Sequence, residues 1–190
     1  DENYLWVGTH QGLDQINLET GESRAYPNIS KSIHYRNNSS VLSINKTSKG
    51  HLRIGTVDGL YKVEMDEKEG KVTNIISIKY NDYYFKKHET NNVYIIHVAD
   101  DGKIWIGTKK GLAILNSDLT ALGFYTKVES DKSSLPNNTV RFILQDSAGE
   151  IWVGTEGGVS IAVEEKGIVR FETYSHSNNP ESISKDVVMS

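Results

Sequence analysis

A short glycine-threonine segment occurs four times along the chain at nearly constant spacing. The copies are Leu5–Thr9, Arg53–Thr56, Ile104–Thr108 and Ile151–Thr155, and three of them also contain a tryptophan two residues before the glycine. The glycines at 8, 55, 107 and 154 are 47, 52 and 47 residues apart. A repeat of this kind indicates an array of one structural unit whose copies stack into one continuous body.

Each repeat predicts one small antiparallel sheet, and the third copy shows its strands most clearly. Asn92–Asp100 is apolar on both faces, as expected for a strand buried between neighbouring sheets. The Asp101-Gly102 dipeptide predicts a tight hairpin turn of type I′. Further strands are predicted at Lys103–Thr108, Leu112–Asn116 and Leu122–Lys127. Four strands in a repeat of this length predict an all-β fold of β-propeller blades, with four repeats of a four-stranded antiparallel meander.

The phase of the repeat predicts where the blades begin. A valine lies 14 residues before the glycine in three copies, at Val41, Val93 and Val140. Extending the 47-residue spacing places Val187 at the same point of a next repeat, whereas the chain begins on a second strand. The predicted organisation is strands two to four of a blade at 1–38, blades at 39–90, 91–137 and 138–184, and the first strand of a next or closing blade at 185–190.

Two architectures agree with this phase. The two ends could complete one blade together and close a ring of four blades. The alternative is a segment of a longer array, and we favour part of a larger, seven-bladed propeller because that size is commoner. A segment with two uncovered apolar blade faces is expected to self-associate, whereas a closed ring is expected to be monomeric.

The repeated residues themselves are predicted to be structural. The indoles of Trp6, Trp105 and Trp152 are expected to wedge against a neighbouring blade. The glycines that follow are expected to permit close approach of backbones, and the threonines to satisfy turn amides. Arg53 replaces the tryptophan in the second copy and is expected either to pack its stem with a solvated head or to reach a ligand. The glycines are Gly8, Gly55, Gly107 and Gly154.

Composition excludes several classes of function. A net charge of −4 with scattered basic residues offers no attraction for phosphate backbones, so nucleic acid is not an expected partner. The chain has no cysteine, and no two of its six histidines are two or four residues apart, so no metal site is predicted. No catalytic or cofactor-binding motif occurs, which predicts neither an enzyme nor a cofactor. Any targeting or anchoring segment is expected outside this chain.

The repeated motifs of the four copies and of the segments between them resemble the two-component regulator propeller repeat. The resemblance is carried by IWIGT with its KKGL turn, and by Ser134–Val140, Asp146–Gly149 and Ser177–Ser184. Such repeats are best known from the periplasmic sensor regions of hybrid two-component system sensor histidine kinases in gut Bacteroidetes. The resemblance implies a periplasmic, carbohydrate-responsive piece of a receptor whose kinase modules lie elsewhere. It implies other propeller blades and domains of the same receptor as partners.

An oligosaccharide would contact the face that the inter-blade linkers and the turns between second and third strands form. Residues 81–91 hold the five extra residues of the 52-residue interval and are rich in aromatic side chains suited to stacking on sugar rings. The alternative is that these tyrosines pack the longer linker onto its blade. The candidate ligand-binding residues are His34, Tyr35, Arg36, Tyr83, Tyr84, Lys109 and Arg141.

Two functions therefore remain open at this point. The first is a ligand-sensing fragment that recognises an oligosaccharide and passes the signal to modules outside the chain. The second is a structural or protein-interaction propeller with no ligand site of its own. Substitution of Arg36, Tyr83 and Tyr84 by alanine would leave signalling intact only in the second case.

Overall fold

The computed structural model describes residues 3–27, 29, 40–47, 50–66, 70–78 and 92–189. These residues form fifteen β-strands and no helix, so none of them lies in a helix that could span a membrane. The chain divides into two compact units, residues 1–96 and residues 97–190. Each unit is described by itself below.

The first unit contains a three-stranded and a four-stranded antiparallel sheet. Blade 1 has the strand order β1-β2-β3, and blade 2 has the order β4-β5-β6-β7. The strands are β1 Tyr4–Thr9, β2 Gly12–Asn17, β3 Ser23–Pro27, β4 Val41–Lys46, β5 Leu52–Thr56, β6 Gly59–Met65 and β7 Val72–Ile78. The three described strands of blade 1 correspond to the second, third and fourth strands of blade 2.

Two more four-stranded sheets follow along the chain. Blade 3 has the order β8-β9-β10-β11 and blade 4 the order β12-β13-β14-β15, with β8 crossing the limit between the units. The strands are β8 Val93–Val98, β9 Ile104–Thr108, β10 Leu112–Leu115, β11 Ala121–Tyr125, β12 Val140–Gln145, β13 Ile151–Thr155, β14 Gly158–Glu165 and β15 Ile168–Tyr174. The predicted all-β meander is confirmed; the blade limits at 38/39 and 90/91 lie outside the described residues and stay predictions.

The core of the first unit lies where blades 1 and 2 pack on each other. Leu13 of blade 1 and Leu52 and Ile54 of blade 2 have no exposed surface and belong to one buried cluster. Trp6 and Tyr26 pack against this cluster with their ring centroids 5.9 Å apart. Burial of each large apolar side chain contributes about 1.5–3 kcal/mol, so this cluster is a main source of stability for the unit.

The repeated glycine allows the first strand of the next blade to approach closely. A Cβ atom on Gly55 would lie 2.5 Å from Val93 Cγ1 and 2.7 Å from the Val93 carbonyl oxygen. A Cβ on Gly8 would lie 2.8 Å from Val41 Cγ1. These distances are all shorter than the van der Waals contact distance of a Cβ atom. A side chain at either glycine would therefore push the two strands apart.

The C-terminal segment differs from the first strand predicted at 185–190. Residues 185–189 are not assigned to a strand. Val188 nevertheless donates its N–H to the Thr155 carbonyl at 2.9 Å, and its side chain lies against Gly154 as Val41 lies against Gly8. The predicted equivalent, Val187, is 54% exposed, so the extrapolated spacing is one residue too short.

The hairpin turn between β8 and β9 is not of the predicted type I′. That type needs a positive φ at both central residues, but Asp101 is not among the positive-φ residues, whereas Gly102 has a φ of 82°. The Gly102 N–H bonds to the Ala99 carbonyl at 2.8 Å, and the Ala99 N–H bonds to the Lys103 carbonyl at 2.9 Å. This is a three-residue loop with the left-handed residue last, which a single glycine satisfies.

Candidate ligand-binding face

The turns between second and third strands are held by the same threonine in every blade. In the third copy Thr108 Oγ1 donates to the Gly111 carbonyl at 2.8 Å and accepts the Lys110 N–H at 3.0 Å. The other copies repeat both bonds through Thr9, Thr56 and Thr155. The two residues between threonine and glycine are therefore presented in one fixed geometry at the same end of each sheet.

Arg141 reaches this end of blade 4 through a β-bulge. The register of β12 against β13 skips from Val140 to Phe142, so Arg141 is the extra residue. Such a bulge redirects a side chain relative to the regular alternation of a strand. The Arg141 guanidinium donates from Nε at 3.0 Å and from Nη2 at 2.6 Å to one carboxylate oxygen of Glu156. Arg141 is thus already paired with an acidic side chain.

Lys109 occupies the position in blade 3 that Glu156 occupies in blade 4. It is exposed and follows β9 directly, and β9 packs beside β12 within the second unit. The lysine and the Arg141–Glu156 pair therefore lie at the same ends of two adjacent inner strands. This end of the second unit presents cationic nitrogen atoms and one carboxylate, which are groups that bind hydroxyl or acidic ligands.

The linker between blades 3 and 4 packs directly onto the turn that holds Glu156. A Cβ on Gly157 would lie 2.9 Å from Asn137 Cβ and 3.0 Å from the Pro136 carbonyl oxygen, which leaves room only for glycine. The side-chain oxygens of Asn137 and Asn138 accept backbone N–H groups at 2.8 and 2.7 Å. These amides hold the linker through their oxygen atoms, and their NH₂ groups can donate to other groups.

Blade 2 has a carboxylate at this end, Asp58, in one of the turns between second and third strands that the sequence places on the predicted ligand face. Asp58 accepts the hydroxyl of Thr56 at 2.7 Å and the hydroxyl of Tyr61 at 3.1 Å. The sequence signal for these two hydrogen bonds is the spacing of Thr56, Asp58 and Tyr61 around the turn glycine. In blade 1, His10 Nδ1 and Ser40 Oγ are 3.2 Å apart.

The described residues include only two of the seven predicted ligand-binding residues, and the ligand-binding roles of all seven stay predictions. Lys109 and Arg141 lie as stated above, whereas five predicted residues fall in segments that the structure does not describe. Those five are His34, Tyr35, Arg36, Tyr83 and Tyr84. Their roles stay predictions.

Arg53 contacts the neighbouring strand of its own sheet in blade 2. Its Nη1 atom lies 3.5 Å from Asn45 Oδ1 on the neighbouring strand, and burial lowers the pKa of its guanidinium. Asn45 and Arg53 are directly opposite each other in the sheet. The Arg53 side chain therefore packs within its own sheet. The sequence predicted a packed stem, but it did not predict the contact of the guanidinium with Asn45.

Trp152 is anchored by a hydrogen bond that the repeat motif encodes. Its Nε1 atom donates to Asp146 Oδ2 at 2.9 Å, while Asp146 Oδ1 accepts the N–H groups of Ala148 and Glu150. The hydrogen bond from Trp152 is the main reason that the pKa of the Asp146 carboxyl lies below its ordinary value. The indole stacks on Tyr174 with a centroid distance of 6.1 Å. Both contacts lie within blade 4, and the packing against a neighbouring blade that the sequence predicts for this indole stays a prediction.

Two cavities are described, and neither is lined by Lys109 or Arg141. A cavity of about 160 Å³ in the first unit is bordered by Gln15, Arg24 and Lys71. A cavity of about 610 Å³ in the second unit is bordered by Trp152 and Tyr174. Among the residues that the structure describes, no group of three or more histidine, cysteine or acidic side chains could hold a metal ion.

Comparison with known proteins identifies the repeat. Residues 89–110 and 134–157 match the family described as a two component regulator propeller. These two segments contain β8, β9, β12 and β13 and the Pro136 to Asn138 linker. No curated protein matches the chain.

Solved structures with the same fold include two from B. thetaiotaomicron. The extracellular domain of one putative hybrid two component system superposes with a TM-score of 0.73 at 17% identity, covering 98% of this chain and 23% of that one. A second such domain gives 0.60 at 21% identity, covering 99% and 29%. Virginiamycin B lyase from Staphylococcus aureus gives 0.59 at 16% identity, covering 95% and 54%. The chain thus spans about a quarter of the first two domains, and the lyase shows that the fold alone does not define a function.

Proposed function

We propose that this chain, whose blades carry two-component regulator propeller repeats, is a segment of the periplasmic sensing region of a hybrid two-component sensor. The observation that carries this proposal is the match of residues 89–110 and 134–157 to that repeat family. Support also comes from the propeller fold that the chain shares with extracellular domains of two such systems. In this proposal the kinase modules belong to other parts of the receptor.

The ligand in this proposal is an oligosaccharide bound at the end of the blades that carries Lys109 and Arg141. Sugars offer many hydroxyl groups, and recognition needs charged and amide side chains fixed in place. The threonine-held turns fix the backbone of this end, and the linker packed on Gly157 fixes the neighbouring surface.

The test is calorimetric titration of a glycan panel into the receptor ectodomain that contains this chain. One saturable glycan is expected, with binding weakened by Arg141→Ala and by Lys109→Ala. Arg170→Ala is the matched control, because Arg170 is an exposed arginine on the outer strand β15. Flat titrations with every glycan would remove the oligosaccharide from the proposal.

The second candidate function is a structural or protein-interaction propeller without a ligand site of its own. It is favoured by the Glu156 partner that Arg141 already has. In that case a glycan that binds the ectodomain would bind the Arg141→Ala and Lys109→Ala variants with unchanged affinity.

A further inference from the structure

The cavity of the first unit lies where the face of blade 1 that packs on blade 2 changes from apolar to polar. It has a volume of about 160 Å³ and is bordered by side chains of β1, β2 and β3 and by Lys71, which directly precedes β7. Trp6 and Leu13 on the same face pack into the buried cluster that the two blades share. Gln15, two residues after Leu13 in β2, borders the cavity instead. The apolar contact between the two blades therefore ends at this cavity.

Gln15 is a buried polar side chain with unused hydrogen-bonding capacity. It is 4% exposed; its Nε2 atom donates to the Gly70 carbonyl at 2.6 Å and its Oε1 atom accepts the Tyr26 hydroxyl at 3.1 Å. An amide can make about four hydrogen bonds, so one N–H and one lone pair remain on a side chain that borders the cavity. Blades 3 and 4 have Ile114 and Ile161 at this position, seven residues after the repeated glycine. A buried amide in place of isoleucine lowers stability unless polar groups meet it, so this position of blade 1 requires polar partners that blades 3 and 4 do not.

Arg24 supplies the main positive charge of the cavity wall. It lies directly opposite Gln15 in the sheet, so both side chains extend from the same face. Among the described residues, its guanidinium has no hydrogen-bond or ion-pair partner. Lys71 adds a second cation, although it also has another interaction, and Glu22 adds a carboxylate. Two cations and one carboxylate among the described residues of the border leave a net charge of +1 around the cavity.

The corresponding place between blades 3 and 4 is occupied by an ion pair. Lys103 lies four residues before its repeated glycine, as Tyr4 does in blade 1. Its Nζ atom lies 2.6 Å from Glu164 Oε2 of blade 4. Tyr4 instead has its ring against Gly70 of blade 2, where a Cβ atom would lie 2.7 Å from Tyr4 Cε2. The chain's own residues therefore neutralise each other between blades 3 and 4, whereas between blades 1 and 2 they leave Arg24 for an external group.

We propose that this cavity binds a small hydroxycarboxylate. The ligand's carboxylate pairs with Arg24 and Lys71, since a guanidinium forms two parallel hydrogen bonds to a carboxylate. Its hydroxyl group meets Gln15, because a hydroxyl both donates and accepts and so matches the remaining lone pair and N–H of the amide. Glu22 accepts a second hydroxyl group at the border. The net positive charge favours a ligand with one negative charge over a zwitterion such as an amino acid.

The size of the cavity limits what can enter it. A cavity of about 150 Å³ holds a molecule of the size of benzene, so about six or seven non-hydrogen atoms fit beside Gln15. This is the size of glycerate, and also of the carboxylate end of a uronic acid at the terminus of a glycan. Both sources present a carboxylate close to hydroxyl groups. The inference goes beyond the sensing function and does not depend on it, because Lys109 and Arg141 take no part.

Titration of glycerate into the isotope-labelled intact protein tests this proposal by nuclear magnetic resonance. The readout is the side-chain amide signal of Gln15, which is identified by its absence from the Gln15→Ile spectrum. We expect this signal to shift with glycerate until it saturates. Propionate, which lacks the hydroxyl groups, and glycerol, which lacks the carboxylate, are expected to bind at least about threefold and tenfold more weakly. Equal affinities for glycerate and propionate, or a Gln15 signal that no carboxylate shifts, would overturn the proposal.

Titration of glucuronate separates the two sources of the ligand. A Gln15 signal that responds to glucuronate with at least the affinity of glycerate supports the proposal and identifies a uronic acid unit. A signal that responds to glycerate but not to glucuronate supports it as well and identifies a free hydroxy acid.

Two substitutions test the assigned charges with the same titration. Arg24→Gln is expected to weaken glycerate binding at least about tenfold, and Arg170→Gln on the outer strand β15 is the matched control. Glu22→Gln removes a like charge and is expected to tighten glycerate binding about two- to threefold. Unchanged affinity in a folded Arg24→Gln protein would overturn the proposal. So would serine that binds more tightly than glycerate and loses its affinity in Glu22→Gln, because the cavity would then hold an amino acid.

Discussion

Trp152 donates its indole N–H to the carboxylate of Asp146 across 2.9 Å, and this bond ties the strand β13 to the turn that precedes it. Asp146 also accepts the backbone N–H groups of Ala148 and Glu150 at 2.9 and 3.0 Å. One carboxylate therefore determines both the shape of the turn and the orientation of the indole. The D-x-x-G-x-x-W spacing of the repeat encodes this arrangement in blade 4.

Stability that depends on this carboxylate is expected to disappear in acid. The pKa of Asp146 lies below its ordinary value, mainly because of the Trp152 hydrogen bond and next because of the Glu150 N–H. The folded state thus binds the proton less tightly than the unfolded state. The contribution is complete above the ordinary pKa of about 4 and is lost as pH falls through the lower folded value.

The Asp146→Asn variant tests this dependence. An asparagine presents an oxygen to the turn but cannot accept the Trp152 N–H with its other atom, so the variant is expected to be less stable at neutral pH. Thermal melts followed by circular dichroism between about pH 2 and 6 are expected to converge for the two proteins in acid. Parallel curves with a constant offset would contradict the role assigned to the carboxylate.

Blade 3 lacks this bond, and its restoration is expected to stabilise the second unit. Ala99 stands where blade 4 has Asp146, and the buried Trp105 Nε1 has no hydrogen-bond partner. Ala99→Asn supplies an oxygen without adding charge beside Asp100 and Asp101. The expected gain in the free energy of unfolding is about 0.5–1.5 kcal/mol.

A double-mutant cycle with Trp105→Phe identifies the source of that gain. Phenylalanine removes the N–H, so Ala99→Asn is expected to add no stability in the Trp105→Phe background. The measurement is urea denaturation of the four proteins. An equal gain in both backgrounds would show that the asparagine acts on the turn rather than on the indole.

The fold could be predicted because it depends on a local pattern that occurs four times. The threonine acts within its own hairpin and Trp152 bonds to the turn before its strand, so these contacts follow from short-range sequence. The glycine meets the first strand of the next blade, and the constant spacing of the repeat makes that contact predictable. The position of Val188 could not be predicted, since a linker that gains one residue moves every residue after it. The predicted type of the turn before Lys103 was wrong, because a single glycine is compatible with several types of hairpin turn.

The candidate site was less accessible to sequence reasoning. Lys109 lies in a turn of fixed length, so its exposure follows from the repeat. The Arg141–Glu156 pair depends on a bulge in β12, and the strand's alternation of residue types gives no sign of it. The hydrogen bonds of Asp58 were not predicted, because its partners, Thr56 and Tyr61, meet it only when the turn is folded.

Addition of one methyl group to the repeated glycine is expected to destabilise the first unit. The Gly55→Ala side chain would meet both Val93 Cγ1 and the Val93 carbonyl oxygen. Overpacking of this kind costs about 1–3 kcal/mol. Val93→Ala relieves only the contact with Cγ1 and leaves those with the Val93 carbonyl oxygen and with Ser43 Oγ, which is the nearest atom. The double variant is therefore expected to recover only part of the loss beyond the cost of Val93→Ala alone. A Gly55→Ala protein as stable as the original chain, by urea denaturation, would contradict the close approach.

Glu156 is expected to compete with a ligand for Arg141. Their side chains are 35% and 29% exposed, so solvent screens the ion pair, and removal of the carboxylate is expected to release about 0.5–1 kcal/mol for a new partner. If the glycan of the proposed function contacts Arg141, Glu156→Gln should tighten its binding about two- to fivefold. Calorimetry of the ectodomain measures this effect, with Glu172→Gln on β15 as the matched control. Unchanged affinity in Glu156→Gln, with normal folding, would place the ligand contacts away from Arg141 and favour the linker residues predicted at 34–36 and 83–84.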